Sequence, residues 1–547
     1  MPTAPHPVYR DSIHTWFRSH ADEPDVAAQL TRYQEAALVL WELDLEPARP
    51  VLMQGYAPNP RGGKPRDPVI TLRCLLLMLL VAQPSINQWV EDLRASRVLR
   101  VLSGLEMEGR GVPGVGTFYA LLHRLHDGPI RSNCEHVEKP SERERRRSRS
   151  PQPPRRNQKK VARAAKPSGR KTRKKRGKTK ADTSSPPSRS QESASARVAK
   201  ELEAARELDN PNDLLSRLSL LLVEVAVTES ARRGLLGALD HIVAGGDGSP
   251  LVTGASKFGK KSCEHSRYQR CDCDRIWTDP DALYGWDPHR ERYFFGHHFY
   301  EVSVSTQGHD LPLALRLDPG NGSDFTASLR TFEHLRKTLD HLELPWSIGT
   351  AVLDAGHDGE AVYRYFIDQG TRPVIPLKCD APAVHPNRPG LTLSKNGIPT
   401  CQAGAEMTSR GSAGPDRKVF ICPVKAGKLE RCPLAPEDQP DWRCRPDQKW
   451  GPSVAVKVSD NPRLCPPVPR NSPTFQKMLN HRSGCERSNA VKKVRFKLEA
   501  ARHRRWSFWL IRLHLIAVLQ HACVWVAGKD SGALVDFLLG REERLAA

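Results

Sequence analysis

Twice in this chain an apolar run that reads as a buried strand ends in glycine and a carboxylate. One copy runs from His241 to Asp247 (HIVAGGD) and the other from Ala351 to Asp358 (AVLDAGHD). Carboxylates are rarely buried unless paired or bound to a metal, so an acid at a strand tip needs a reason. Taken singly, each Asp serves equally as a turn opener or a helix cap. Taken together, two such strands lying side by side carry Asp247 and Asp354 to the same edge of one sheet. Asp358 and Glu360 then read as turn and helix-start residues.

A third acid sits far downstream, on the helical stretch Thr474–Leu498. Arg482, Glu486 and Lys493 are four and seven residues apart, which places them within roughly 60° of one helix face. Alone, this is an ordinary charged face with local ion pairs. Joined to two strand-end aspartates, it supplies three carboxylates from distant segments. That donor set suits two Mg²⁺ (or Mn²⁺) ions, because carboxylate oxygens take hard cations. One ion activates an attacking hydroxyl and the other stabilises the leaving oxygen. Arg482 and Lys493 would meet the phosphodiester backbone of DNA.

The order of elements around these acids predicts a mixed α/β sheet. After a helix at Asn212–Leu236 comes the strand leading to Asp247. Strand-like runs follow at Tyr293–Thr306 and Leu311–Leu317, then a helix at Asp324–Leu344, the strand into Asp354, another helix, and a short strand at Arg372–Leu377. This is not a plain βαβα alternation. Residues 9–128 read as short helices with tight turns, which suits a helix-turn-helix-like DNA-binding unit and equally any small helical bundle.

Charge is unevenly spread. Of a formal +22, the stretch Lys139–Lys180 holds 20 Lys and Arg against 2 acids, which leaves +4 for the other 505 residues. Residues 138–197 lack apolar periodicity and cannot bury enough surface to offset the entropy of ordering. They read as a flexible basic arm that binds nucleic acid through its phosphates. Met1–Tyr9 is Pro-rich with no apolar core, so no export signal is expected there. Phe508–Val526 is long enough to span a membrane but holds Arg512, His514 and His521, so it reads as a core helix, with no membrane partner.

Several of these features together resemble insertion-sequence DDE transposases. Arg482-x3-Glu486-x6-Lys493 is similar to the family's Tyr-x2-Arg-x3-Glu-x6-Lys helix. The residues around Asp354 resemble its second-acid motif, and those around Asp247 its first. The helical region from Arg66 to Leu125 is similar to the family's N-terminal domain. This chain has Leu479 at the family's Tyr position and His357 where Tyr is common. The resemblance implies a ribonuclease-H-like fold with catalytic, metal-binding Asp247, Asp354 and Glu486. It also implies Mg²⁺-dependent hydrolysis at transposon terminal inverted repeats and strand transfer of the 3′-hydroxyl to target DNA. A homodimer or higher assembly in the bacterial cytoplasm, at the nucleoid, goes with it. The alternatives are a metal-dependent nuclease without strand transfer and a non-catalytic DNA-binding derivative.

The expected organisation is a helical DNA-binding domain (1–137), a basic arm (138–200), a first catalytic part (201–378), a Cys/Pro/Gly-rich insertion (379–473) and C-terminal catalytic helices (474–547). The 13 Cys have no regular disulfide spacing and are expected to be reduced. Cys263, His265, Cys271 and Cys273 form a compact group of the right types for a tetrahedral Zn²⁺, with plain thiols as the alternative. Cys401, Cys422, Cys432 and Cys444 are looser. Trp442 and Trp450 in the insertion read as core residues; the resemblance to hairpin-forming transposases implies, as the alternative, a Trp that stacks on a flipped base.

Overall fold

The structure, a computed structural model, describes residues 5–56, 65–127, 194–204 and 212–543, apart from 267–270, 272, 274, 289 and 440. The basic arm expected at 138–200 lies outside the described residues except at its end, where a helix begins (Ala194–Ala204).

The described residues of 5–127 form helices joined by short turns. Two stretches with apolar residues at helical spacing are split where one residue interrupts them: Val26–Leu43 is two helices meeting at Tyr33, and Ser85–Leu102 breaks at Ser96. Ser96 stops one helix in extended conformation and caps the next, its hydroxyl accepting from Leu99 N. Helix α1 (Pro68–Leu80) starts on Asp67, whose carboxylate accepts from Val69 N. All but its last residue are buried, so it has no solvent face.

Beyond residue 212, helix α2 (Leu214–Leu222) precedes the first sheet strand. The sheet comprises β1 (Ile242–Val252), β2 (Leu283–Asp287), β3 (Arg292–Thr306), β4 (His309–Pro319), β5 (Ile348–Val352) and β6 (Arg372–Val374). Strand β1 is central. It pairs antiparallel with β3 on one side and parallel with β5 on the other, and β5 pairs parallel with β6. The outer edge of β3 is shared end to end by β2 and β4, both antiparallel. The β3–β4 hairpin turns on Gln307 and Gly308, both at positive φ, the geometry that matches strand twist in two-residue turns. A mixed α/β sheet is therefore what the molecule contains.

Helices cover both faces. Helix α3 (Asp324–His341) packs on one: a Cβ at Gly246 would approach Phe332, Leu353 and the Tyr300 hydroxyl. Helix α4 (Glu360–Asp368) joins β5 to β6. On the other face lies α5 (Arg482–Val494), where a Cβ at Gly245 would sit 2.8 Å from Cys485 Sγ. The predicted helix Thr474–Leu498 is thus two pieces, Pro473–Leu479 and α5.

Helix α6 (Trp506–Trp525) runs along edge strand β4 and against α2 and α1. By length and composition it is the one helix among the described residues able to cross a membrane, and it is buried along most of its length inside the protein. A single apolar cluster runs from Tyr9 in the first helix through α1, the sheet and α6 to Leu539. Residues 379–473 instead form small antiparallel sheets with their own core around Ile398, Met407, Phe420 and Val456.

Candidate active site

The parallel register pairs Gly245 of β1 with Val352 of β5. Two residues further on, each chain segment carries an aspartate, Asp247 and Asp354. Period-2 alternation puts the Asp247 side chain on the same face as Gly245, toward α5. There Asn489 Nδ2 of α5 donates to Asp247 Oδ2 at 3.5 Å. Glu486, one turn earlier on α5, is half-exposed and ion-paired with Arg482. The charges of Asp354 and Glu486 are both felt at Asp247. Burial first, then the charge of Asp324, with Asp354 and Glu486 adding to it against Arg482, push the Asp247 carboxyl up to about 7.

Asp354 is held differently. His357 Nδ1 lies 2.5 Å from Asp354 Oδ1, and His357 Nε2 lies 3.2 Å from the buried Tyr300 hydroxyl. Burial works to raise the Asp354 carboxyl. The His357 hydrogen bond, with the His357 and Arg482 charges, outweighs it and leaves the group below its ordinary value. The residue that departs from the family's usual Tyr thus orients the second acid from behind. Leu479, the other departure, packs against an apolar cluster of Val352, Val374 and Phe475.

Sequence reasoning missed Asp324, which begins α3. A Cβ on Gly248 would lie 1.9 Å from Asp324 Oδ1, so the bare glycine is what admits this carboxylate beside Asp247. Asp324 Oδ1 is buried, 3.2 Å from His298 Nε2, and receives no well-aligned hydrogen bond. Of the two strand histidines, His298 therefore faces the site, while His297 is buried against Asp279 at 3.1 Å. The available signal was the glycine after Asp247, which leaves room for something to approach.

Arg482, expected to meet a DNA backbone, is ion-paired with Glu486, and its charge acts to lower both Asp247 and Asp354. Lys493 lies on the same helix, but its ammonium donates to Pro250 O at 2.6 Å and sits 3.7 Å from Glu499. Burial pulls it below its ordinary value. Asp358 is turned away: its buried carboxylate takes Arg463 at 2.7 Å and Lys378 N at 3.0 Å. Glu360 pairs with Arg364 on the exposed side of α4. Trp450 lies beneath Arg410, whose guanidinium carbon is 3.9 Å from the ring centre.

The donor set fits hard divalent cations. It is built from carboxylate oxygens, with the imidazoles of His298 and His357 held against Asp324 and Asp354, and the buried Asp324 Oδ1 receives no well-aligned hydrogen bond. Asp247, Asp354 and Glu486 would hold such ions, with Asp324 beside them.

Comparison with known protein families gives one match. Residues 263–519 fit the family described as transposase DDE domain. The chain carries a transposase DDE domain. The matched stretch holds Asp354, Glu486 and the intervening elements, and begins after Asp247, which joins the site through the sheet register. No curated protein and no solved structure matches the chain. A transposase DDE domain implies a DNA substrate and nuclease-type chemistry, and members generally use divalent metal.

Proposed function

We propose that this chain is an insertion-sequence transposase that cleaves the ends of its element and joins the freed 3′-hydroxyl to target DNA. The observation that carries the reading is that Asp247, Asp354 and Glu486, from two strand ends and a crossing helix, share one patch, where burial first, then the charge of Asp324, with Asp354 and Glu486 adding to it, raises Asp247 to about 7. The strand order, antiparallel on one side of β1 and parallel on the other, supports a ribonuclease-H-like fold. The separate core of residues 379–473, placed between β6 and α5, supports an insertion into that fold.

Two Mg²⁺ or Mn²⁺ ions bound by these carboxylates would supply activation of the attacking hydroxyl and stabilisation of the leaving oxygen. The chain's own residues position them. His357 fixes the orientation of Asp354, Arg482 holds Glu486 until a phosphate competes for its guanidinium, and Asn489 steadies Asp247. Terminal repeats and target are the DNA partners, and two element ends require at least a dimer. The residue 9–128 helices and the basic arm are the DNA-binding parts, acting in the bacterial cytoplasm.

Labelled terminal-repeat DNA incubated with the protein and Mg²⁺ or Mn²⁺ tests the reading. Nicking at the element end followed by joined products is expected from the wild type and neither from Asp354→Asn. Cleavage without joined products would make the chain a nuclease. No cleavage by the wild type would leave it a DNA-binding protein only, and equal cleavage by Asp354→Asn would overturn the proposed site.

A further inference from the structure

Between β1 and β2 the chain makes an excursion that the acid site does not use. Its apolar contacts lie at its root, where Trp277 and Ala282 pack on Phe295 of β3, with Ala255 and Tyr284 against them. Gly259 lies close over the Trp277 ring, where a Cβ would come within 2.8 Å. Above this root stands a hairpin of only two residues per strand, Lys260–Lys261 against Arg275–Ile276. Beyond it, the excursion shows no apolar cluster among the described residues.

Yet this is where four metal-ligating side chains converge. Cys263 Sγ lies 3.6 Å from Cys271 Sγ, and Cys273 Sγ lies 3.5 Å from His265 Nδ1. The four ligand atoms are all within 4.8 Å of one another. A tetrahedral Zn²⁺ with Zn–S of about 2.3 Å and Zn–N of about 2.0–2.1 Å sets S–S edges near ~3.8 Å and S–N edges near ~3.5 Å. The Cys263–Cys271 and Cys273–His265 separations are close to those edges, and the other pairs lie within 4.8 Å. No disulfide competes, since all three cysteines are free thiols. The flanking strands carry Lys260, Lys261 and Arg275, cations suited to a site whose thiolates leave net negative charge.

We propose that Cys263, His265, Cys271 and Cys273 bind one structural Zn²⁺ that fixes the β1–β2 excursion. Four closed protein ligands leave no open position, so the ion is structural rather than catalytic. It takes the place of an apolar cluster, which the described residues beyond the root do not form, and its binding energy becomes local folding energy. The site is independent of the carboxylate centre, which takes hard cations through oxygen.

Zinc content of the full chain, purified from zinc-supplemented cells, tests this by elemental analysis. Cys263→Ser/Cys273→Ser should hold one zinc per chain fewer than the wild type, while Cys379→Ser, an exposed thiol elsewhere, should hold the same number. Equal zinc in the double variant and the wild type, or no zinc in the wild type, would overturn the proposal. A second measurement does not depend on that variant folding. The Co²⁺-loaded wild type should show the intense visible bands of tetrahedral thiolate coordination, and His265→Cys should shift them and strengthen the sulfur-to-metal absorption. A Co²⁺ spectrum unchanged by His265→Cys would count against the site.

Discussion

Lys492 on α5 forms an ion pair with Glu301 on β3, and both side chains are wholly removed from solvent. Glu301 is the cross-strand partner of Asp247. The pair thus lies directly beside the acid centre, and the buried ammonium also donates to Ser488 Oγ at 2.9 Å. Breaking such a pair from one side strands the remaining charge, at a cost of about 3–5 kcal/mol. Lys492→Met should therefore lower the urea midpoint sharply, and Lys492→Met/Glu301→Leu should recover much of the loss. A double variant no more stable than the single one would show that the charge pair is not what the core depends on.

Asp324 and Gly248 make a coupled prediction. Asp324→Asn removes one charge next to Asp247, and Gly248→Ala drives the Asp324 carboxylate out of place. Each should reduce metal-dependent cleavage by about 10–100-fold, the usual effect of disturbing groups that support a metal site. Because both act through one carboxylate, the double variant should be little worse than either alone. Multiplicative losses in the cleavage assay would separate the two residues.

Stability should fall on mild acidification. Burial pushes His514 and His521 each down to about 4 from 6.5. His521 is fixed as a neutral ring: Nε2–H donates to Pro312 O at 2.7 Å, and Nδ1 lies 2.7 Å from Ser230 Oγ, itself bonded to Trp525 Nε1–H at 2.8 Å. Below about pH 6.5 the unfolded chain takes up protons that the folded chain refuses until about pH 4. Each histidine then removes up to about 3 kcal/mol across that window, and its full contribution is present above it. Denaturation midpoints at pH 7 and pH 5 measure the slope, and His521→Gln should flatten it. The same slope in the variant would assign it to other groups.

The basic stretch outside the described residues predicts a salt effect. Deleting residues 138–193 should weaken binding to arbitrary duplex DNA and make the dependence of affinity on salt clearly shallower, because fewer counterions are released. Cleavage of already bound terminal-repeat DNA at low salt should change much less. An unchanged salt slope in a filter-binding titration would mean that the arm does not touch DNA.

The features legible in sequence were those with a period or a repeated signature. The strand-then-carboxylate pattern at Asp247 and Asp354 was visible because a buried strand is a run of apolar residues. The stripe of Arg482 and Glu486 was visible because a helix repeats every 3.6 residues. Asp324 was not, because an acid at the first position of a helix is ordinary and its value here lies in which glycine it faces. Nor was Lys492: its neighbour Lys493 fits the helical stripe, yet Lys492 is the one that turns inward to Glu301. Single-residue breaks at Tyr33 and Ser96 were lost for the same reason, since the apolar pattern continues through them.

Helix α6 closes the hydrophobic cluster that the first helices open. On the ribosome this sets an order of events. About 380 residues separate the end of the N-terminal helices from Trp506, which at roughly 5–20 residues per second is a wait of ~20–80 s. Throughout that interval the earliest helices present apolar surface whose partner has not been made. A fragment ending at residue 127 should bind an apolar dye that the full chain excludes, and newly made protein should depend on chaperones until its last helices emerge.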